Sequence, residues 1–324
     1  MTTLVTGGSG FVGRALLAAL VRNDVAVRSS IRVRGYVGTN IYNTHVPTYL
    51  VGDIGPATDW TDALDGVQTV VHLAARVHVM KESAVDPLAT FRHVNTLGTT
   101  RLASMAAQAG VRRLVYVSTI KVNGESTVDR AFHEDDKLRP SGSYAISKWE
   151  AEQALRRISA ETGIEIVIVR PPLVYGPGVG GNFLAMLKWM DRGIPLPLAS
   201  VDNQRSFVGL NNLVSLLMAC LSHPRAAGEV FLASDGEDLS TPELLRRTAQ
   251  ALGKSPHLFP FPVSMLRMTA RLLAKGEACE RLCGSLAVDS SKARRLLGWS
   301  PVSSVDDELR RIAEWYIRRY ASAV

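Results

Sequence analysis

Apolar residues in this chain fall into short, near-continuous runs separated by longer stretches with helical spacing. The runs cover residues 2–6, 25–30, 48–51, 69–75, 114–118 and 164–170, and most are rich in Val, Ile and Leu. Between them, residues 11–21, 90–109 and 144–159 carry the amphipathic pattern of helices, with Leu16, Leu17 and Leu20 marking the first apolar face. Strands that are apolar at nearly every position, alternating with helices, predict a parallel sheet covered on both sides. The expected fold class is therefore α/β, a doubly wound parallel sheet whose ligand lies beyond the carboxyl ends of its strands.

After residue 170 the texture changes. Pro171, Pro172, Pro177, Gly178, Gly180 and Gly181 form a loop-rich passage, and further prolines punctuate shorter elements down to Pro301. This predicts a dinucleotide-binding domain over 1–170, with a returning segment near 206–235, and a smaller interleaved α+β substrate lobe made mainly of 171–324.

Composition narrows the picture only a little. At 46% apolar and 21% charged residues the chain is ordinary for a folded soluble domain. No apolar run approaches the roughly 20 residues of a membrane span, and the first strand already belongs to the fold, so a cytoplasmic location without a leader is expected. Cys220, Cys279 and Cys283 make neither a disulfide framework nor a metal set. The net charge of +7 comes from scattered basic residues without interleaved aromatics, so no nucleic-acid partner is expected. The basic amphipathic stretch 265–275 is expected to pack as a helix of the smaller lobe, with membrane-surface contact as the alternative.

Two motifs carry the chemistry. Gly7, Gly10 and Gly13 sit between the first strand and first helix, where a tight turn and close backbone approach suit a pyrophosphate at the helix N-terminus. This is the entry to a Rossmann-type nucleotide site. Tyr144 and Lys148, four apart, share a helix face. A close ammonium stabilises a phenolate and is expected to lower the phenol's pKa toward neutrality. Ser118 and Thr119 close a strand end and offer a hydroxyl partner.

On these motifs the chain resembles the extended short-chain dehydrogenase/reductase superfamily, in its NAD(P)-dependent sugar-nucleotide epimerase/dehydratase/4-ketoreductase branch. The resemblance covers essentially the full length. It implies catalytic roles for Thr119, Tyr144 and Lys148. It implies a cofactor site built from Gly7, Gly10, Phe11, Val12, Gly13, Arg32, Asp53, Ile54, Leu73, Ala74, Ala75, Asn95, Tyr144, Lys148, Pro171 and Val174. Substrate contacts are implied for Thr119, Lys121, Asn182, Arg205 and Arg281, although Lys121 is equally well a solvent-facing lysine and Arg281 aligns loosely. A nucleotide-sugar substrate, a homodimer and no metal also follow from the resemblance.

Departures from the family pattern shape the reaction expected. The second strand ends on Ser29 and Ser30 rather than a carboxylate, with Arg28 and Arg32 flanking, which favours NADP(H) over NAD(H). Leu173 stands where 4-epimerases often carry Asn, and Ile120-Lys121 replaces the Asp-Glu pair of dehydratases. The resulting expectation is an NADPH-dependent reductase of a nucleotide-linked 4-keto-sugar, of the UDP-4-keto-6-deoxy-N-acetylhexosamine type, in surface-polysaccharide synthesis. The alternative is a UDP-hexose or UDP-N-acetylhexosamine 4-epimerase with tightly bound NAD.

Overall fold

The computed structural model of the chain describes residues 1–32, 39–41, 44–77 and 86–320. Its main sheet has seven parallel strands: β1 (Thr2–Thr6), β2 (Ala26–Ile31), β3 (Thr48–Leu50), β4 (Thr69–His72), β5 (Arg113–Val117), β6 (Glu165–Arg170) and β7 (Val230–Leu232). They lie in the order β7-β6-β5-β4-β1-β2-β3, so the winding reverses between β1 and β4. In such sheets a ligand crevice opens at the carboxyl edge beside that reversal.

Successive side chains on a strand face opposite ways, and here both faces are apolar. Val5, Val71, Val115 and Val167 point to one side, where they meet Leu16, Leu17 and Leu20 of α1 (Phe11–Arg22). Leu4, Val70, Leu114 and Ile166 point to the other, against Leu102 and Ala106 of α2 (Thr99–Gln108) and Leu155 and Ile158 of α3 (Gly142–Thr162). Burying one such Leu or Ile contributes roughly 1.5–3 kcal/mol, so the two layers hold the sheet rigid at its core. The register then aligns the functional edge. Thr6 pairs with both Ser30 and His72, and Val117 pairs with Val169.

The chain leaves the sheet after β6. A short parallel pair, 173–175 with 207–209, leads through α4 (Gly181–Asp191) and back by α5 (Leu210–Ser222), which packs on the same face as α1. The smaller core gathers Tyr175, Phe183, Leu187 and Phe207 with Leu244 and Leu245 of α6 (Thr241–Ala251) and Ile312 and Tyr316 of the terminal helix 305–320. Helices α7 (Val263–Leu272) and α8 (Gly276–Cys283) lie at the edge of this core.

Two local expectations are corrected. The helix expected across 90–109 is a single α turn (Pro87–Phe91), a π-helical segment (Arg92–Gly98) and then α2. The wider π turn lets Asn95 face inward to partners on both sides, as described below. The loop-rich passage from Pro171 to Gly181 contains a short strand, 173–175. The stretch 265–275, expected to pack as a helix of the smaller lobe, contains most of α7, whose Val263 and Leu266 pack on the small core, though no residue of α7 is fully buried. Its apolar side exceeds what the small core can cover.

Candidate active site

The glycine turn closes tightly on the sheet. Gly7 has φ +69°, and a Cβ there would meet the backbone nitrogen of Ala74 at 2.9 Å. A Cβ on Gly13 would lie 2.1 Å from the Gly7 carbonyl, so α1 can start only with glycine at that point. Gly10 caps α1 without a side-chain hydrogen bond, and no acidic residue stands in the first turn. The first N–H groups of the helix, at Phe11, Val12 and Gly13, therefore face the crevice as anion donors. Leu73 and Ala74 line the wall opposite, their amides donating to Thr6 Oγ1 at 3.2 Å each, with half-buried Ala75 next in the chain. This cradle fits the diphosphate of a dinucleotide.

The far end of the crevice differs from expectation in one respect. Arg28 turns away from it, donating to the Asp65 carbonyl and lying 5.3 Å from the Tyr49 ring centroid. Arg32 instead pairs with Asp53 at 3.6 Å, both side chains being well exposed. Ser29 leans on the glycine turn, its Oγ occupying the space a Cβ on Gly8 would need. Ile54 fills the space beside Gly98.

Across the sheet edge, β5 ends beneath the Tyr/Lys helix. The amides of Ser118 and Ile120 donate to the carbonyls of Val169 and Pro171, which fixes the strand end against β6. Thr119 caps the turn Ile120–Val122, its hydroxyl oxygen accepting from the Lys121 amide at 3.3 Å. That leaves the hydroxyl hydrogen of Thr119 free to donate elsewhere. The buried hydroxyl of Ser118 has no hydrogen-bond partner among the described residues.

Lys148 reaches down from α3 and donates to the Val117 carbonyl at 2.7 Å, with its ammonium 4.1 Å from the Tyr116 ring centroid. Burial pushes Lys148 down to about 7, against the opposing pull of Glu152. Burial also pushes the Tyr144 phenol up to about 12. The expectation of a lowered phenol pKa is thus corrected. Desolvation dominates at Tyr144, and the ammonium that was to lower it is engaged by a backbone carbonyl. Tyr144 therefore keeps its proton at pH 7.

Of the residues expected to touch substrate, Lys121 forms an ion pair with Glu125 at 2.9 Å. The same carboxylate acts on Arg205, whose guanidinium burial presses below its ordinary value and which donates to the Gly284 carbonyl at 2.8 Å. Lys121 and Glu125 thus pair directly, and Arg205 joins this loose charged group only through space. Asn182 is exposed at the start of α4, Pro171 is buried and Val174 half-buried. Arg281 is directed back along its own helix to Glu277 and takes no part in that group.

Residues 3–233 match the model of the NAD dependent epimerase/dehydratase family. The chain belongs to that family. It is 40% identical to a UDP-glucose 4-epimerase of Vibrio cholerae, over 97% of this chain and 95% of that one. It is 28% identical to an N-acetyl-alpha-D-glucosaminyl-diphospho-ditrans,octacis-undecaprenol 4-epimerase of Escherichia coli O157:H7, over 81% and 76% of the two chains. The crystal structure of a UDP-glucuronic acid 4-epimerase from Bacillus cereus in complex with NAD shares the fold, with TM-score 0.80 at 23% identity and coverage of 100% and 99%. As a member of the epimerase/dehydratase family, the protein is an NAD(P)-dependent sugar-nucleotide enzyme.

Glu152, Arg170 and His72 brace this family site and escaped sequence reasoning, whereas Asn95 was expected there. Glu152 and Arg170 form a bidentate pair at 3.0 and 2.5 Å, both fully buried, and Arg170 also donates to Asn123 at 3.1 Å. This ties the Tyr/Lys helix to the end of β6. His72 bridges Thr6 at 2.7 Å and Thr99 at 2.9 Å, and burial holds its pKa down to about 3, so the ring is neutral. Asn95 accepts from the Arg76 amide at 2.8 Å and donates to the Arg76 carbonyl and Ser147 hydroxyl at 3.0 Å each. Those bonds make Asn95 a positioning residue for the segment after β4. The i, i+4 spacing of Lys148 and Glu152 was a visible signal, but its partner Arg170 becomes evident only in the fold.

Proposed function

We propose that the protein reduces a 4-keto group on a nucleotide-linked hexose, with Tyr144 as proton donor. The observation that supports this reading is the buried Tyr144, a phenol that holds its proton at neutral pH, one helix turn from Lys148, whose ammonium is anchored on the Val117 carbonyl. A nicotinamide dinucleotide bound in the glycine cradle supplies the hydride. Thr119, with its oxygen already accepting from the Lys121 amide, donates its hydroxyl hydrogen to the ketone oxygen and orients it. Tyr144 then protonates that oxygen as it gains negative charge. Lys148, poised near neutrality, stabilises the phenolate left on Tyr144 until it is reprotonated. Arg205, whose forked guanidinium matches phosphate oxygens, holds the substrate diphosphate with Asn182. Leu173, which is exposed, stands at the chain position where 4-epimerases of the family often carry Asn.

NADP(H) is the preferred dinucleotide in this reading. The exposed Arg32–Asp53 pair contributes little by itself, about 0–1 kcal/mol, so a 2′-phosphate can recruit the guanidinium at small cost.

A second reading, 4-epimerisation, is favoured by the 40% identity to the Vibrio cholerae enzyme. The two are separated by incubating purified protein with UDP-N-acetylglucosamine and, separately, with its 4-keto-6-deoxy form, each with and without NADPH. NADPH consumption with the second substrate alone supports reduction. Inversion of the first without added dinucleotide replaces it by epimerisation.

A further inference from the structure

Helix α7 is poorly embedded for a helix of its composition. Val263 and Leu266 turn toward the small core, but Met265, Met268 and Leu272 at i, i+3 and i+7 form an apolar stripe facing out. Met268, Leu272 and the next residue, Leu273, are 55%, 81% and 69% exposed. Single surface leucines are ordinary, whereas an aligned row on an amphipathic helix marks an interaction face.

The charges beside this row are of one sign where they are free. On α8, Arg281 is paired with Glu277, and Glu280 takes Arg267 of α7. Arg271 and Lys275 have no ion-pair partner among the described residues. A groove of about 500 Å³ runs along the same face, lined by Ser264, Arg267, Met268, Arg271 and Leu272. No described helix is long and apolar enough to cross a membrane.

We propose that α7 and the turn after it dock the enzyme on the surface of an anionic lipid bilayer. Met268, Leu272 and Leu273 enter the boundary between headgroups and acyl chains, and Arg271 and Lys275 meet lipid phosphates. Charge complementarity selects this occupant. Apolar side chains flanked by unpaired cations match an anionic interface, and the net charge of +7 adds long-range attraction. The face is joined to the substrate side through α8, because Gly284, just beyond its end, accepts from Arg205 at 2.8 Å. Docking therefore places the lobe that holds Arg205 next to the membrane surface. The inference does not depend on which reaction the enzyme catalyses.

The test is co-sedimentation of the full chain with phosphatidylcholine vesicles and with vesicles containing roughly one-third phosphatidylglycerol. The bound fraction is expected to be at least about tenfold higher on the anionic vesicles and to fall at high salt. Leu272→Glu/Leu273→Glu and, separately, Arg271→Glu/Lys275→Glu should abolish it with an unchanged thermal unfolding midpoint. Absence of binding by the wild-type chain overturns the proposal, as does equal binding to both vesicles or binding retained by both variants. If light scattering instead shows an oligomer that Leu272→Glu/Leu273→Glu splits, and vesicles bind nothing, the face joins copies of the chain and the proposal fails.

Discussion

In the sheet half of the molecule Lys148, Glu152 and Arg170 are all buried, and each is held by a named partner. On the outer helices of the small lobe Arg271, Lys275 and Arg281 stand in solvent beside exposed Met268 and Leu272. The first arrangement spends desolvation on geometry. A buried carboxylate and guanidinium are costly unless bonded well, so the fold tolerates few alternatives around α3 and β6. The second arrangement constrains little internally and leaves its surface available to partners. Fixed atoms are on offer in the first region, and an open surface is on offer in the second.

The contrast can be broken most sharply at Tyr144. Tyr144→Phe keeps the ring packed edge-on to Phe91 but removes the proposed proton donor. Turnover should fall by about 10²–10⁴-fold while dinucleotide binding, followed by fluorescence, persists. Next in size is Arg170→Leu, which strands Glu152 without its cation. Denaturant unfolding should show a loss of about 3–5 kcal/mol, and an intact midpoint would refute the bracing role of the pair. Arg32→Ala tests the dinucleotide preference. The KM for NADPH should rise by about tenfold, as expected for a lost charge-assisted phosphate bond, and that for NADH should barely change.

Lys148 makes a pH-dependent prediction. Its native pKa lies near 7, below its ordinary 10.5, so between these values the unfolded chain binds a proton that the folded chain does not. Stability should therefore rise with pH across that window through this group, and Lys148→Met should flatten the rise in a pH series of unfolding midpoints. The smallest effect is expected in the other region. Leu272→Glu, at a site 81% exposed, should change stability by no more than about 0.5 kcal/mol.

What was legible in the sequence was local. The strand–glycine–helix run at Gly7 to Gly13, the Tyr144/Lys148 spacing and the strand-end hydroxyl at Thr119 are patterns within a few residues, and they sufficed for the fold class and the family and pointed to a candidate site. What was hidden depends on tertiary contact. Glu152 meets Arg170 across 18 residues and Thr6 meets His72 across 66, so neither pair leaves a sequence signal. The direction of the Tyr144 shift was misjudged because it is set by burial, which α3 acquires only when packed. Strand β7, three apolar residues long, is too short for its period to be read.

The account turns on the direction of chemistry at C4, and an isotope label reports it directly. NADPH carrying deuterium at its transferable position is mixed with the UDP-linked 4-keto-6-deoxy-N-acetylhexosamine and the purified protein, and the product is analysed by mass spectrometry and NMR. The account predicts one deuterium at C4 of the sugar, formed in step with NADPH loss. An unlabelled sugar with NADPH untouched, together with C4 inversion of UDP-N-acetylglucosamine when no dinucleotide is added, would contradict it.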